Sequence, residues 1–170
     1  IDTAKYGVVN LHFSPLPRYR GVSPVALAFL NHETEFGVTM HYIDLGVDTG
    51  DIISQKFFNI GALNSARELY DLIVIKGGEL FEESIDDILL LKNSRVPQDN
   101  SKALYFPKAS IDFTANKINF NKDSNSLTSW IKAFLFPPFQ YPVFIQDDKT
   151  YEVVSVNPDF KKNKFEKPGT

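Results

Sequence analysis

Asn10 and His12 lie two residues apart in a short run, Gly7 to Phe13, whose valines, leucine and phenylalanine suit a strand. Alternate side chains of a strand share a face, so Asn10 and His12 point one way with Val8, while Val9, Leu11 and Phe13 point the other. The two polar residues are then neighbours, roughly 6.5–7 Å apart at the backbone. An amide can donate to a developing oxyanion and an imidazole can exchange a proton near neutral pH, so the pair suits polar catalysis. The same pair would also serve structure, with Asn10 bonded to a loop and His12 a satisfied buried histidine.

A second cluster is the turn Asp44-Leu45-Gly46-Val47-Asp48-Thr49-Gly50-Asp51, which places three carboxylates between two strand patterns. An acid held there could face a histidine; calcium or a plain surface turn are the competing uses. The segment lacks the alternating oxygen ligands and terminal Glu of an EF-hand loop. His32 and His41 make no metal spacing with His12, so no metal is expected. No G-x-S-x-G, Walker or G-x-G-x-x-G motif occurs.

The elements around these clusters follow from pattern. Ser14-Pro15-Leu16-Pro17 ends the first strand in a stiff loop, and Ser23 before Pro24 reads as an N-cap for a buried helix ending near His32. Gly37 to Ile43 and Ile52 to Phe58 read as strands on either side of the acidic turn. Ser65 and Glu68 form a capping box ahead of a long helical pattern through Leu89, with an irregularity expected at Gly77-Gly78. Lys92 to Asn119 reads as a surface connector, Asp123 to Phe136 as a helix stopped by Pro137-Pro138, and Val143 to Val156 as two strands about Asp147-Asp148-Lys149. The tail from Pro158 is expected to fray.

Composition bounds the function. The 170 residues, 43% hydrophobic and 14% aromatic, suffice for one sizeable core with an extension. A net charge of −3 offers no basic excess for nucleic acid, and the absence of cysteine removes disulfides, thiolate metal sites and Cys nucleophiles. No apolar run is long enough to span a bilayer, and cytoplasmic residence is expected. The chain opens with Ile1-Asp2-Thr3 rather than Met and enters a strand pattern almost at once, so a preceding segment is expected.

The stretch Asn10-Leu11-His12-Phe13-Ser14-Pro15-Leu16-Pro17-Arg18-Tyr19-Arg20-Gly21-Val22-Ser23-Pro24 resembles the N-x-H-x-S-x-L-P-x-x-R-G-x-x-P signature of the 10-formyltetrahydrofolate-dependent formyltransferases. Gly37-Val38-Thr39-Met40-His41 and Val47-Asp48-Thr49-Gly50-Asp51-Ile52-Ile53 resemble that family's G-V-T-x-H strand and D-x-G loop, in the same order. The similarity runs from Gly7 to Gln55 and continues weakly over 65–72 and 97–143. It implies an α/β fold: a Rossmann-like parallel-sheet core over residues 1–95, and a connector with a small C-terminal α+β extension, helix plus β-hairpin, over 96–170. Asn10, His12 and Asp48 become the implied catalytic centre. Asn10 would stabilise an oxyanion, while His12 and Asp48 move the proton leaving an amine. The resemblance puts Ser14, Leu16, Pro17, Asp44 and Gly46 at the formyl donor, 10-formyltetrahydrofolate, and Arg18, Arg20 and Gly21 at the amine substrate.

Family members formylate methionyl-tRNA, a purine precursor or a nucleotide-linked amino sugar. The segment from Ala133 to Pro142 resembles the region after the core in the sugar-nucleotide enzymes, and Phe136, Phe139 and Tyr141 could stack on a flat ring there or simply pack. The acidic balance argues against tRNA. A dTDP-linked 4-amino-4,6-dideoxy sugar of O-antigen biosynthesis is the expected substrate and a homodimer the expected assembly. Methionyl-tRNA formylation and a non-catalytic accessory module are the alternatives.

Overall fold

Strand β3, Glu35–Tyr42, lies at the centre of the fold and is buried from Phe36 onward, because it has a partner on each edge. The computed structural model describes residues 4–156, so the expected fraying beyond Pro158 lies outside the described residues. Strand β1 (Val9–His12) pairs with one edge of β3 and β4 (Ile52–Asn59) with the other, giving the order β1-β3-β4. Both pairings are antiparallel, so the α/β fold holds while these three strands are not themselves the parallel sheet that the resemblance implied. For β3 and β4 the physical reason is the connection: the turn over 43–51 is shorter than the crossover a parallel neighbour requires.

The pleat divides the sheet chemically. Val38, Met40 and Tyr42 face Val9 and Leu11 on one side and pack on Leu80. Leu80 belongs to helix α2, Ala66–Leu89, which buries Leu69, Ile73, Gly77, Leu80 and Ser84 at helical spacing. Ser65 caps this helix, its hydroxyl accepting from Glu68 N at 3.1 Å, while the Glu68 carboxylate accepts from Asn64 N. The helix runs unbroken through Gly77-Gly78, against the expected irregularity. The opposite face of the sheet carries the polar residues Asn10, His12, Thr39 and His41, set opposite one another by the register Asn10↔His41 and His12↔Thr39.

A second core joins α1 (Pro24–Leu30) to α3 (Ser124–Phe134), through Ala26, Leu27, Ala28 and Phe29 against Ala133 and Phe134. Asp123 caps α3 as the sequence suggests. Ser23 does not cap α1: it sits at φ 59 and makes no side-chain cap bond, leaving Pro24 to start the helix without one. Strands β6 (Val143–Gln146) and β7 (Lys149–Glu152) form the expected hairpin, with Asp147 and Asp148 at positive φ in its tip.

The segment read as a surface connector lies on the surface and is tied to the scaffold by its backbone. Val96 and Ile52 exchange both backbone hydrogen bonds, at 2.8 and 3.0 Å, and Leu104 N donates to Pro17 O. A short strand β2 (Arg20–Gly21) pairs in parallel with β5 (Tyr105–Phe106). Val96, Leu104 and Tyr105 keep exposed side chains. The docking is made by backbone groups, which leave no hydrophobic pattern in the sequence.

Candidate active site on the polar face of the sheet

The register opposing Asn10 and His41 brings Asn10 Nδ2 within 3.2 Å of His41 Nε2. His41 Nδ1 donates to Tyr42 O at 2.8 Å, so its neutral ring accepts at Nε2 and Asn10 is the donor. The pairing of β3 with β4 slips between Met40 and His41, a bulge of the kind that re-aims side chains next to functional sites. His41 is 2% exposed, and this burial holds its ring below the ordinary histidine range, outweighing the Tyr42 carbonyl and Asp48, which pull it up.

His12 donates through Nε2 to Tyr19 O at 2.9 Å, which leaves Nδ1 as the basic ring atom. Nδ1 lies 3.7 Å from Asp48 Oδ2. The other Asp48 oxygen lies 3.8 Å from His41 Nε2, so one carboxylate faces two imidazoles whose rings are edge-on with centroids 6.1 Å apart. Asp48 itself has φ 55, a left-handed conformation that Asp tolerates better than most residues. Its Oδ2 accepts from Gly21 N at 2.8 Å.

Gly21 has a structural reason to be glycine. It sits at φ 95, and a Cβ would fall 2.2 Å from Phe106 O across the β2–β5 pair. Its neighbours hold the loop in place around His12. Thr39 Oγ1 donates to Ser14 O at 2.7 Å and accepts from Leu16 N and from Gln55 Nε2. The buried Tyr19 hydroxyl donates to Glu33 at 2.6 Å, and burial together with that bond pushes its phenol up to about 12.

The expected catalytic residues Asn10, His12 and Asp48 therefore converge in one place. The remaining expectations divide. Ser14 is fully buried, its hydroxyl donating to Arg18 O and Tyr19 O, and Leu16 is nearly so; in this structure both support the loop. Pro17 is half-buried. Asp44 is exposed on the turn; the Thr49 hydroxyl and Gly46 N–H bound to its carboxylate hold it below the usual range. Leu45, at the tip, is fully exposed. Arg18 reaches outward to pair with Glu33. Arg20 is buried and directs its guanidinium to Gln98 and Asn100.

Phe136 and Phe139 line an apolar groove of about 220 Å³, with Val25, Tyr70, Phe113 and Gln140. Tyr141 is not among its lining residues. Its carbonyl accepts from Asn116 instead, because the chain has turned toward β6 by that point. Ser23 sits on the groove rim, two residues after Gly21, so one loop connects the groove to the Asp48 carboxylate.

His41 and Gln98 are functional candidates that reading the residues singly misses. The strand parity that places Thr39 and His41 together would have found the first once β1 is paired with β3. No pattern marks the second. Among the described residues no group of three or more His, Cys, Asp or Glu could hold a metal ion, and no helix is long and apolar enough to cross a membrane.

Comparison with known proteins gives concordant results. The family model described as formyl transferase matches residues 1–85. Methionyl-tRNA formyltransferase of Geobacter sulfurreducens is 34% identical over 141 residues, covering 80% of this chain and 44% of that protein. The crystal structure of WlaRD, a sugar 3N-formyl transferase in the presence of dTDP and 5-N-formyl-THF, is 36% identical with a TM-score of 0.78, over 87% of this chain and 52% of that one. The N-formyltransferase from Helicobacter canadensis, in complex with folinic acid and dTDP-3-aminofucose, is 35% identical with a TM-score of 0.78, over 94% of this chain and 59% of that one. The chain thus spans about half the length of the relatives it matches.

Proposed function

We propose, from the premise that this chain belongs to the formyl transferase family, that the protein moves a formyl group from 10-formyltetrahydrofolate to the amine of a dTDP-linked amino sugar. The observation that carries the reading is the 3.7 Å approach of His12 Nδ1 to Asp48 Oδ2, beside an Asn10 amide with a hydrogen to spare.

The bound donor supplies an electrophilic formyl carbon. Asn10 Nδ2 carries two hydrogens, and His41 takes one; the other is free to stabilise negative charge on the formyl oxygen as the amine attacks. The new C–N bond requires the amine to lose a proton. With the Nε2 proton committed to Tyr19 O, His12 Nδ1 is the ring atom that takes it, and Asp48 stabilises the resulting imidazolium. Returning that proton to the departing folate nitrogen, as its bond to the formyl carbon breaks, balances the reaction. His41 keeps Asn10 aimed and, being held neutral by burial, does not compete for the proton. Exposed Asp44 and the Leu45 tip form the rim of the same turn, a position suited to the donor's ring system.

The apolar groove at Phe136 and Phe139 supports a nucleotide-linked acceptor, since an aromatic-walled slot suits a flat base. Both sugar N-formyltransferases at 35–36% identity have dTDP or a dTDP-3-amino sugar in their crystals, which favours a 3-amino over a 4-amino acceptor. A second reading, formylation of methionyl-tRNA, has support in the 34% identity to the Geobacter enzyme. The decisive experiment incubates the protein with 10-formyltetrahydrofolate and, separately, dTDP-3-amino-3,6-dideoxyhexose, the 4-amino isomer and methionyl-tRNA, and weighs the product for an added formyl group. Product from the 3-amino sugar nucleotide alone is the expected result; product from tRNA alone overturns it.

A further inference from the structure

The catalytic carboxylate sits at the end of a second chain of contacts that begins on a buried cation. Arg20 is 7% exposed, and among the described residues its guanidinium has no carboxylate within ion-pair distance. Its bonds go to amides: Nε and Nη2 donate to Gln98 Oε1 at 3.0 and 2.7 Å, and Nη2 donates to Asn100 Oδ1 at 2.9 Å. Gln98 then donates through Nε2 to two carbonyls of the acidic turn, Asp48 O at 2.9 Å and Gly50 O at 2.8 Å.

We infer that Gln98 is a positioning residue for Asp48, and that the buried Arg20 charge acts through it rather than on substrate; this rests on the formyl-transfer reading above. A guanidinium drawing electron density from Oε1 polarises the amide and strengthens both Nε2–H donors, because neighbouring hydrogen bonds reinforce one another in a low dielectric. The two carbonyls lie on either side of Thr49, the first of them on Asp48 itself at φ 55, so the Gln98 grip anchors the backbone from which the side chain leaves the turn. Arg20 and Gly21 are consecutive, and Gly21 N is the donor to Asp48 Oδ2. One two-residue strand thus holds the carboxylate directly and, through Gln98, holds its backbone. The arrangement controls the distance from Asp48 to His12 Nδ1, on which the stabilisation of the imidazolium depends.

Two substitutions separate positioning from plain support. Gln98→Glu keeps an acceptor for Arg20 and makes it an ion pair, but replaces the donor pair by a carboxylate oxygen facing two carbonyls. Gln98→Met, of similar length, removes both contacts. Positioning requires both variants to lose kcat, by at least about tenfold with KM within about twofold. Gln98→Glu should keep the wild-type melting temperature. In both variants the NMR resonances of the His12 ring nitrogens should move as Asp48 shifts, while those of His32 stay in place. Activity lost only in Gln98→Met, or a Gln98→Glu protein with kcat within twofold and unmoved His12 resonances, overturns the inference. Should wild type transfer no formyl group, the function reading fails alone, and the His12 resonances still decide the role of Gln98.

Discussion

Asn10 donates to His41 Nε2 at 3.2 Å, and that bond exists only while His41 is neutral, because Nδ1–H is already committed to Tyr42 O. Protonation would set donor against donor and turn the ring toward Asp48 Oδ1, 3.8 Å away. Burial lowers the folded-state value of His41 relative to the unfolded chain, so the unfolded state takes the proton first. The stability this ring contributes is complete above about pH 6.5 and is lost as pH falls through the lower folded value. Urea unfolding at about pH 7.5 and pH 5 should show a larger loss in wild type than in His41→Gln, which keeps an acceptor for Asn10 but does not titrate. Equal losses would remove His41 from the acid response.

His12→Ala and Asp48→Asn should each lower kcat by at least roughly a hundredfold. The fold should survive in both, since far-UV circular dichroism reports helices and strands whose packing these side chains do not supply. A double variant should be little worse than either single one, because the two act on one proton. Multiplicative losses would mean that they act separately.

The groove predicts a division among the three aromatics. Phe139 is 79% exposed, so Phe139→Ala should leave the melting temperature unchanged while weakening dTDP binding by roughly 1–3 kcal/mol, measured by calorimetry. Phe136 also packs edge-on against Tyr70, with centroids 5.5 Å apart, so Phe136→Ala should lower both affinity and stability. Tyr141→Ala should not change nucleotide affinity, as the residue lies off the groove.

Two glycines give opposite stability predictions. Gly78 lies exposed in the interior of α2 with nothing within 4 Å of an added Cβ, so Gly78→Ala should stabilise by roughly 0.5–1 kcal/mol. Gly21→Ala forces the alanine methyl against Phe106 O and should destabilise by well over about 1 kcal/mol, with loss of turnover as Gly21 N leaves Asp48. Thermal unfolding of the two variants checks both signs.

The placement of Asn10 beside His12 was legible because strand parity is a local rule: the two share a face whatever surrounds them. The second helix was legible for the same kind of reason, its apolar period and its Ser65 cap being written within one segment. Strand direction was not, since a periodic run has no arrow; only between β3 and β4 does the short turn settle it. The role of 96–106 was hidden more deeply. Backbone hydrogen bonds and two amide side chains, Gln98 and Asn100, hold it to the site, and neither kind of contact marks itself in a hydrophobicity pattern. The buried partners of Ser14 and Arg20 were not legible, because a signature records that a residue type is required and not which way its side chain turns.

Gln98 reaches Asp48 O across 50 positions of sequence and Arg20 across 78. A chain emerging from the ribosome at roughly 5–20 residues per second therefore presents the acidic turn roughly 2.5–10 s before the residue that clamps it. Over that interval the sheet can pair and bury its apolar face while the carboxylate is still loosely held. Competence for catalysis is then a late event in the life of the nascent protein, separated in time from the collapse that protects it from aggregation.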